Sequence, residues 1–69
     1  MFTNTKEIKK RLIDLDITQT ECAKRLQISL TAFNFKLNGK ADWSASEIYQ
    51  MKKILKISKS KMIDYFFSA

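Results

Sequence analysis

The amino-acid sequence predicts an all-α fold, and three observations lead to this prediction. Proline is absent and glycine occurs once in 69 residues, so few residues disfavour a helix. Apolar residues recur at the three- and four-residue spacing of amphipathic helices. A serine, threonine or asparagine precedes each of these periodic segments, at the position where its side chain can cap a helix start.

The caps divide the chain into five predicted helices. Thr18 with Glu21, and Ser44 with Glu47, match the capping box, in which a hydroxyl and an acidic side chain bind each other's backbone amides. Apolar residues flank these caps, as in a hydrophobic staple. The remaining helix starts are assigned to Asn4, Ser29 and Ser58. The predicted helices cover residues 5–15, 19–26, 30–38, 45–55 and 59–66.

Each predicted helix has an apolar stripe at helical spacing, and such stripes usually face a core. We expect the stripes to pack against one another in a single domain that spans residues 1–69. The predicted core residues are, in chain order, Ile8, Leu12, Leu15, Cys22, Ala23, Leu26, Leu30, Phe33, Leu37, Ile48, Met51, Leu55, Met62, Ile63 and Phe66.

The composition argues against an enzyme. A chain of 69 residues buries only about 60% of its unfolded surface, which leaves little room for both a core and a substrate pocket. The chain has no histidine and one cysteine, and we find neither a zinc-ligand spacing nor a nucleophile–base pair. No glycine-rich loop is present to hold a nucleotide. We therefore expect no catalytic residues, no metal site, no cofactor and no small-molecule ligand.

The expected location is the cytoplasm. No apolar run is long enough to span a membrane, so no membrane partner is expected. The N-terminal residues MFTNTKEIKK lack the apolar centre of a signal peptide. The single cysteine, Cys22, cannot form an internal disulfide, which fits a reducing compartment.

The charge of the chain suits a polyanionic partner. Thirteen basic residues stand against seven acidic ones, which gives a net charge of +6. Such an excess raises association rate and non-specific affinity for nucleic acid rather than specificity. Charge alone leaves a second explanation open, namely a solvated surface that happens to be basic.

Residues 18–39, with the sequence TQTECAKRLQISLTAFNFKLNG, are the most informative segment. They are predicted to form two short helices, capped by Thr18 and Ser29 and joined by a turn too short for the helices to lie antiparallel. This arrangement is typical of the helix-turn-helix, whose second helix usually lies in the DNA major groove. Together with the basic charge, it predicts binding to double-stranded DNA.

The segment, followed by WSASEI and a last amphipathic helix, resembles the Cro and repressor family of phage and bacterial regulators. The resemblance implies a compact five-helix bundle of the lambda-repressor-like type. It also implies a small Cro-like phage or prophage repressor that binds operator DNA and is associated with the nucleoid of a bacterial host cell. It also implies phosphate contact by Gln19, close helix packing at Ala23, and a position beside the DNA backbone for Asn38 and Gly39.

Two residues depart from the pattern of that family. Gln27 stands in the turn where the family often has glycine, and a positive φ at this residue would cost about 1 kcal/mol. Lys36 stands where many members carry an apolar core residue. The core is therefore expected to be rearranged there, with Leu37 taking over.

The predicted base contacts lie on the second helix of this segment. If Phe33 and Leu37 face inward, the side of the helix that faces outward can reach base edges. Phe35 is expected to contact thymine methyl groups, although a surface aromatic that covers a neighbour or contacts a partner is the alternative. The absence of arginine from this helix favours an A·T-biased half-site. The full set of base-contacting candidates is Leu30, Thr31, Asn34 and Phe35.

The predicted phosphate contacts come from helix starts and their flanks, where hydrogen-bond donors and lysines are found. The basic residues of the first helix and of the C-terminal half are expected to be solvated faces instead. The phosphate-contacting candidates are Thr18, Gln19, Ser29, Lys36, Asn38 and Lys40.

One recognition helix reads few base pairs, so we expect a weak homodimer that assembles on two half-sites. The contact candidates are Tyr65, Phe67 and Trp43, which the predicted core stripes do not use. The alternative function is that of a protein-interaction regulator, similar to an antirepressor or antitoxin, with the same fold.

Overall fold

The computed structural model describes residues 3–67 and contains five helices and no strand in that range. The helices are α1 (Thr5–Asp14), α2 (Gln19–Arg25), α3 (Leu30–Leu37), α4 (Ala45–Leu55) and α5 (Lys59–Phe67). The predicted all-α class is confirmed, and each predicted helix end lies within one residue of the observed end. None of the helices in this range is long and apolar enough to cross a lipid bilayer.

All five predicted caps bind the backbone amide three residues ahead. The distances from cap oxygen to amide nitrogen are 3.4 Å for Asn4, 3.1 Å for Thr18, 3.0 Å for Ser29, 3.1 Å for Ser44 and 3.3 Å for Ser58. Only the box at α4 is complete, because the Ser44 amide also donates to Glu47 at 2.8 Å. At α2 the Glu21 carboxylate instead accepts a hydrogen bond from Arg25 at 3.1 Å, so the predicted box there forms only in part.

Four helices end on a residue in the left-handed region of backbone space. These residues are Asp16, Gln27, Gly39 and Lys56, with φ values of 59°, 61°, 77° and 53°. At each end, two backbone amides bind carbonyls three and five residues back, as in the Schellman motif. An isoleucine follows three of the four left-handed residues and packs against the core; the three are Ile17, Ile28 and Ile57. One turn design is therefore used between α1 and α2, between α2 and α3, and between α4 and α5.

The core is a single cluster of apolar side chains with Trp43 among them. Trp43 lies 5.8 Å from Phe33 and 5.6 Å from Phe66 between ring centroids, in edge-to-face geometry. Its indole nitrogen donates to the Thr3 hydroxyl at 3.2 Å. Burial of an aromatic residue from the α3–α4 loop closes the space between α3 and α5.

The structure corrects the predicted core at its edges. Leu30 and Ile63 are 42% and 48% exposed, and Leu15 and Met62 are half-buried. Leu30 is the first residue of α3, and Ile63 lies about 100° around α5 from Met62. Trp43 and Ile54 are buried in addition to the predicted set.

Side chains of α1 bind the ends of other helices. The Arg11 guanidinium donates to the carbonyl of Leu55 at 2.9 Å and to that of Lys56 at 3.4 Å, at the C-terminus of α4, where a cation is favourable. The Thr5 hydroxyl donates to the Leu37 carbonyl at the end of α3. Arg11 therefore stabilises the fold and is not part of a freely solvated basic face.

Candidate nucleic-acid interface

The helices α2 and α3 contact each other and are joined by residues 26–29. Gln27 has a φ of 61°, which reverses the chain, and Ser29 is extended, with φ −71° and ψ 158°, before α3 begins. Ala23 is 2% exposed, and its small side chain allows the two helices to approach closely. Gln27 thus adopts the positive φ that was considered for this position.

Helix α3 has two distinct faces. Phe33 and Leu37 are fully buried, whereas Thr31 is exposed and Phe35 is 50% exposed. The predicted orientation of the helix is therefore confirmed, although the base contacts themselves stay a prediction. Asn34 is half-buried, and Leu30, which shares the side of the helix that carries Phe33 and Leu37, is 42% exposed as the first residue of α3.

The backbone of Phe35 also holds the segment that follows α3. Its backbone carbonyl accepts hydrogen bonds from the amides of Lys40 at 2.8 Å and Ala41 at 3.2 Å. These bonds return residues 39–41 to the end of α3, so the exposed Lys40 is held next to the helix that carries Phe35. The backbone of Lys40 is thus held at the C-terminal end of the helix that carries Phe35.

The cap residues Thr18 and Ser29 have exposed side chains whose hydroxyl oxygens accept hydrogen bonds from helix amides. Each side-chain oxygen already accepts a hydrogen bond from a helix amide, so its own proton is available for a bond to an acceptor such as a phosphate oxygen. Both residues are exposed, as are Asn38 and Lys40, while Gln19 is half-buried. Five of the six predicted phosphate contacts thus lie at helix ends, four of them exposed.

Lys36, one of the predicted phosphate contacts, forms an ion pair with Glu47. Its ammonium lies 2.5 and 2.6 Å from the two carboxylate oxygens of Glu47, and the side chains are only 19% and 12% exposed. Contact with a phosphate would require this ion pair to break. The phosphate contact of Lys36 therefore stays a prediction that competes with this ion pair. The half-buried ammonium of Lys36 is accommodated because a carboxylate from α4 pairs with it.

The ion pair changes the acidity of Glu47. Burial acts to raise the pKa of Glu47, but the hydrogen bond from Lys36, the amide of Ser44 and the positive charge of Lys36 outweigh it. The net result is a pKa below the ordinary value of 4.5, so the carboxylate is charged at neutral pH. No local pattern of residues predicts this pair, because its members are eleven residues apart on different helices.

The three predicted dimer contacts do not form one surface. Trp43 is 3% exposed and belongs to the core, which withdraws it from any contact with a second chain. Tyr65 is half-buried against the core, and its carbonyl accepts from the Asn4 amide at 2.7 Å. Phe67 alone among the three is exposed, at 52%.

The single cysteine of the chain is buried and weakly nucleophilic. Cys22 is fully buried, with its sulfur 3.5 Å from the sulfur of Met51. Burial raises the pKa of its thiol to about 11, against a smaller lowering by Arg25 and with a small further rise from Glu21. The thiol is therefore protonated at neutral pH and a weak nucleophile. Within residues 3–67, no group of three or more histidine, cysteine, aspartate and glutamate residues is placed to hold a metal ion.

Two apolar features of the surface were not predicted from the sequence. Ile13 is 77% exposed and Tyr49 is 56% exposed, and neither lies on α2 or α3. Tyr49 is within 4.5 Å of the Lys53 ammonium, which lies over its ring. Their exposure depends on the position of neighbouring helices, which helical spacing alone does not reveal.

Comparison with known proteins identifies the family to which the chain belongs. The model of a family described as a protein of unknown function, DUF739, matches residues 1–69. No curated protein and no solved structure matches the chain. The family match brings neither an activity nor a partner with it.

Proposed function

Because the chain belongs to the DUF739 family, whose function is unknown, we propose a function from its own residues. It is a sequence-specific regulator of transcription that binds double-stranded DNA, and it acts as a Cro-like phage or prophage repressor. The observation that carries this proposal is the two-faced helix α3. Phe33 and Leu37 anchor it in the core, while Phe35 is half-exposed beside Thr31 on a chain of charge +6.

In the proposed complex, α3 lies in the major groove and reads base edges. Phe35 contacts the methyl groups of thymine, and Thr31 adds a methyl contact or a hydrogen bond. Asn34 is the residue suited to bidentate recognition of adenine, while Leu30 adds apolar contact at the start of the helix. Since α3 carries no arginine and its lysine pairs with Glu47, the preferred half-site is rich in A·T pairs.

Phosphate contacts fix the position of α3 on the duplex. The Thr18 and Ser29 hydroxyls, with Gln19 and Asn38, donate hydrogen bonds to phosphate oxygens, and Lys40 supplies a positive charge. Such contacts release counterions, so the affinity falls steeply with salt. Two chains occupy half-sites about 34 Å apart and associate weakly on the DNA.

The test is a titration with duplex DNA from the region that flanks the gene, with and without competitor DNA, followed by a footprint. The proposal predicts a protected site and an affinity well above that for random duplex. Equal binding to random duplex and no protected site would disprove the specific-repressor function.

A protein-interaction regulator, similar to an antirepressor or antitoxin, is the second candidate. It is favoured by the exposed apolar side chains of α4 and α5, namely Tyr49, Ile63 and Phe67. The same titration separates the two functions, because absence of even non-specific DNA binding at low salt would favour the second.

A further inference from the structure

An open groove of about 480 Å³ lies between α4 and α5. It has an apolar floor and walls, formed by Ala45, Ile48, Tyr49, Met62 and Phe67. Tyr49 and Phe67 are 56% and 52% exposed, so two large aromatic side chains border the groove with about half of their surface open to solvent, although the Lys53 ammonium lies over the Tyr49 ring. Exposed aromatic walls around an apolar floor are typical of a surface that binds another molecule.

The groove has a basic end and an apolar end. Lys52 lies in the last turn of α4 and Lys59 is the first residue of α5, so both border the groove where the two helices are joined. Ala45 and Phe67, the first residue of α4 and the last of α5, border it at the opposite end. No carboxylate is found among the described residues that line it. The charged residues among those that line the groove, Lys52 and Lys59, are therefore both basic.

We propose that this groove binds an amphipathic helix of a partner protein whose apolar face carries acidic residues at one end. The apolar stripe of such a helix packs between Tyr49 and Phe67, in the helix-in-groove mode of recognition. Its carboxylates lie against Lys52 and Lys59. This interaction is independent of DNA binding by α3.

The charge of the groove argues against a second copy of the chain as its occupant. A two-fold contact places the same surface of each chain against the other. Such a contact would bring Lys52 and Lys59 of both chains, four lysines in all, into one interface to which the lining offers no carboxylate, between molecules of charge +6. The carboxylates of an acidic helix would instead form ion pairs with the same lysines.

The probe is a fluorescein-labelled peptide of about 18 residues, because shorter isolated helices are marginal in water. It carries a leucine stripe with glutamates at one end, and its matched partner has glutamine at those positions. We expect saturable anisotropy binding of the glutamate peptide and affinity on the order of tenfold lower for the glutamine peptide. Amide chemical shifts should move in the residues that line the groove and not in α3.

Three variants test the assignment. Tyr49→Ser removes an exposed wall and should abolish binding without unfolding the protein. The double variant Lys52→Glu, Lys59→Glu should reverse the preference, so that a peptide with lysine in place of glutamate binds better. Lys10→Glu, an exposed lysine on α1, is the matched control and should leave peptide binding nearly unchanged.

Several results would overturn the proposal. They are equal binding of the glutamate and glutamine peptides, chemical shift changes confined to other surfaces, and binding that Tyr49→Ser leaves intact. A concentration-dependent dimer in sedimentation that Tyr49→Ser abolishes would assign the groove to a second copy of the chain instead. If the double variant of Lys52 and Lys59 lost DNA affinity and kept its peptide affinity, the groove would instead be assigned to nucleic-acid binding.

Discussion

Lys36 and Glu47 join the last turn of α3 to the first turn of α4 through two short hydrogen bonds, of 2.5 and 2.6 Å. Glu47 has a second function in the same place, because it also accepts the Ser44 amide and completes the cap of α4. The loop between the helices is therefore held at both ends by one carboxylate. Since this loop includes Asn38 and Lys40, the ion pair also positions part of the proposed DNA contact.

The first prediction is that Glu47→Gln lowers the free energy of unfolding by about 1–3 kcal/mol. The variant leaves the Lys36 ammonium without its counterion in a half-buried site, while the glutamine oxygen can still accept the Ser44 amide. Urea unfolding followed by the fluorescence of Trp43, the single tryptophan, measures the loss.

The matched control is Glu21→Gln, which breaks an ion pair with Arg25 in which both side chains are 48% exposed. Exposed pairs contribute little, so a loss under about 0.5 kcal/mol is expected. Similar losses in the two variants would show that burial of the Lys36–Glu47 pair contributes nothing extra.

The second prediction concerns pH. The folded-state pKa of Glu47 lies below the ordinary value of 4.5, so the ionised form is favoured in the folded protein. Its stabilising contribution is fully present above about pH 4.5 and is lost as the pH falls through the folded-state pKa. The stability difference between wild type and Glu47→Gln should therefore shrink in acid. A difference that stays constant across this range would mean that the charge of Glu47 is not its source.

The third prediction concerns the left-handed residue between α2 and α3. Gln27 has a φ of 61°, a conformation that glycine adopts without the steric cost of a Cβ atom. Gln27→Gly should therefore raise the free energy of unfolding by about 0.5–1 kcal/mol, since the relief of strain exceeds the extra entropy of the unfolded chain. The equilibrium urea midpoint is the measurement.

Gly39 provides the reciprocal test, because its φ is 77° and no heavy atom beyond its two chain neighbours lies within 4 Å of the place where a Cβ would be built. Gly39→Ala should destabilise the protein by about 1 kcal/mol through backbone strain alone. Should Gln27→Gly lower the urea midpoint, contacts of the glutamine side chain would outweigh its backbone strain.

Local signals explain why the helices could be predicted and the loop residue Trp43 could not be placed. Caps such as Thr18 and Ser44 act within three residues of themselves, so their effect is visible in the sequence. Trp43 lies in a loop that has no periodicity, and its burial depends on Phe33 and Phe66, which are distant in sequence. The same limit explains why Leu30 and Ile63, although at helical spacing, are exposed.

In the candidate site too, features set within one helix could be predicted from the sequence, and contacts between helices could not. The orientation of α3 follows from Phe33 and Leu37 alone, which is why the exposure of Phe35 was anticipated. The pairing of Lys36 and the anchoring of Arg11 on α4 are side-chain contacts between helices. Neither can be read from the spacing of residues within one helix.

The fourth prediction separates the two faces of α3. Phe35→Ala should weaken specific DNA binding by about 1–3 kcal/mol and leave the melting temperature nearly unchanged, because the ring is half-exposed. Thr31→Ala should behave in the same way. Phe33→Ala should instead cost about 3–5 kcal/mol of folding stability, since Phe33 is fully buried.

Because that loss could unfold a small domain, Phe33→Leu serves as the milder core variant, with an expected cost below about 1.5 kcal/mol. Thermal melts and DNA titrations on the same samples give both quantities. A melting temperature for Phe35→Ala far below that of wild type would contradict a contact role and assign the ring to packing.

The last prediction distinguishes two lysines of the same segment by the salt dependence of DNA binding. Each phosphate contact by a cation contributes about 0.9 to the slope of log affinity against log salt, so Lys40→Ala should reduce the slope by about 1. Lys36→Met should leave the slope unchanged and lower stability, because its ammonium is bound to Glu47 at 2.5 Å. Lys10→Ala, on the exposed side of α1, is the control for loss of charge alone.

The comparison requires each variant to be folded, which the fluorescence of buried Trp43 reports. A slope reduced equally by Lys36→Met and Lys40→Ala would mean that the Lys36–Glu47 pair opens on DNA and that Lys36 contacts phosphate after all. A slope unchanged by Lys40→Ala would remove this loop from the interface and leave the phosphate contacts to Thr18, Gln19 and Ser29. The hydrogen bonds from the amides of Lys40 and Ala41 to the Phe35 carbonyl favour the expected result, because they hold Lys40 beside the exposed end of α3.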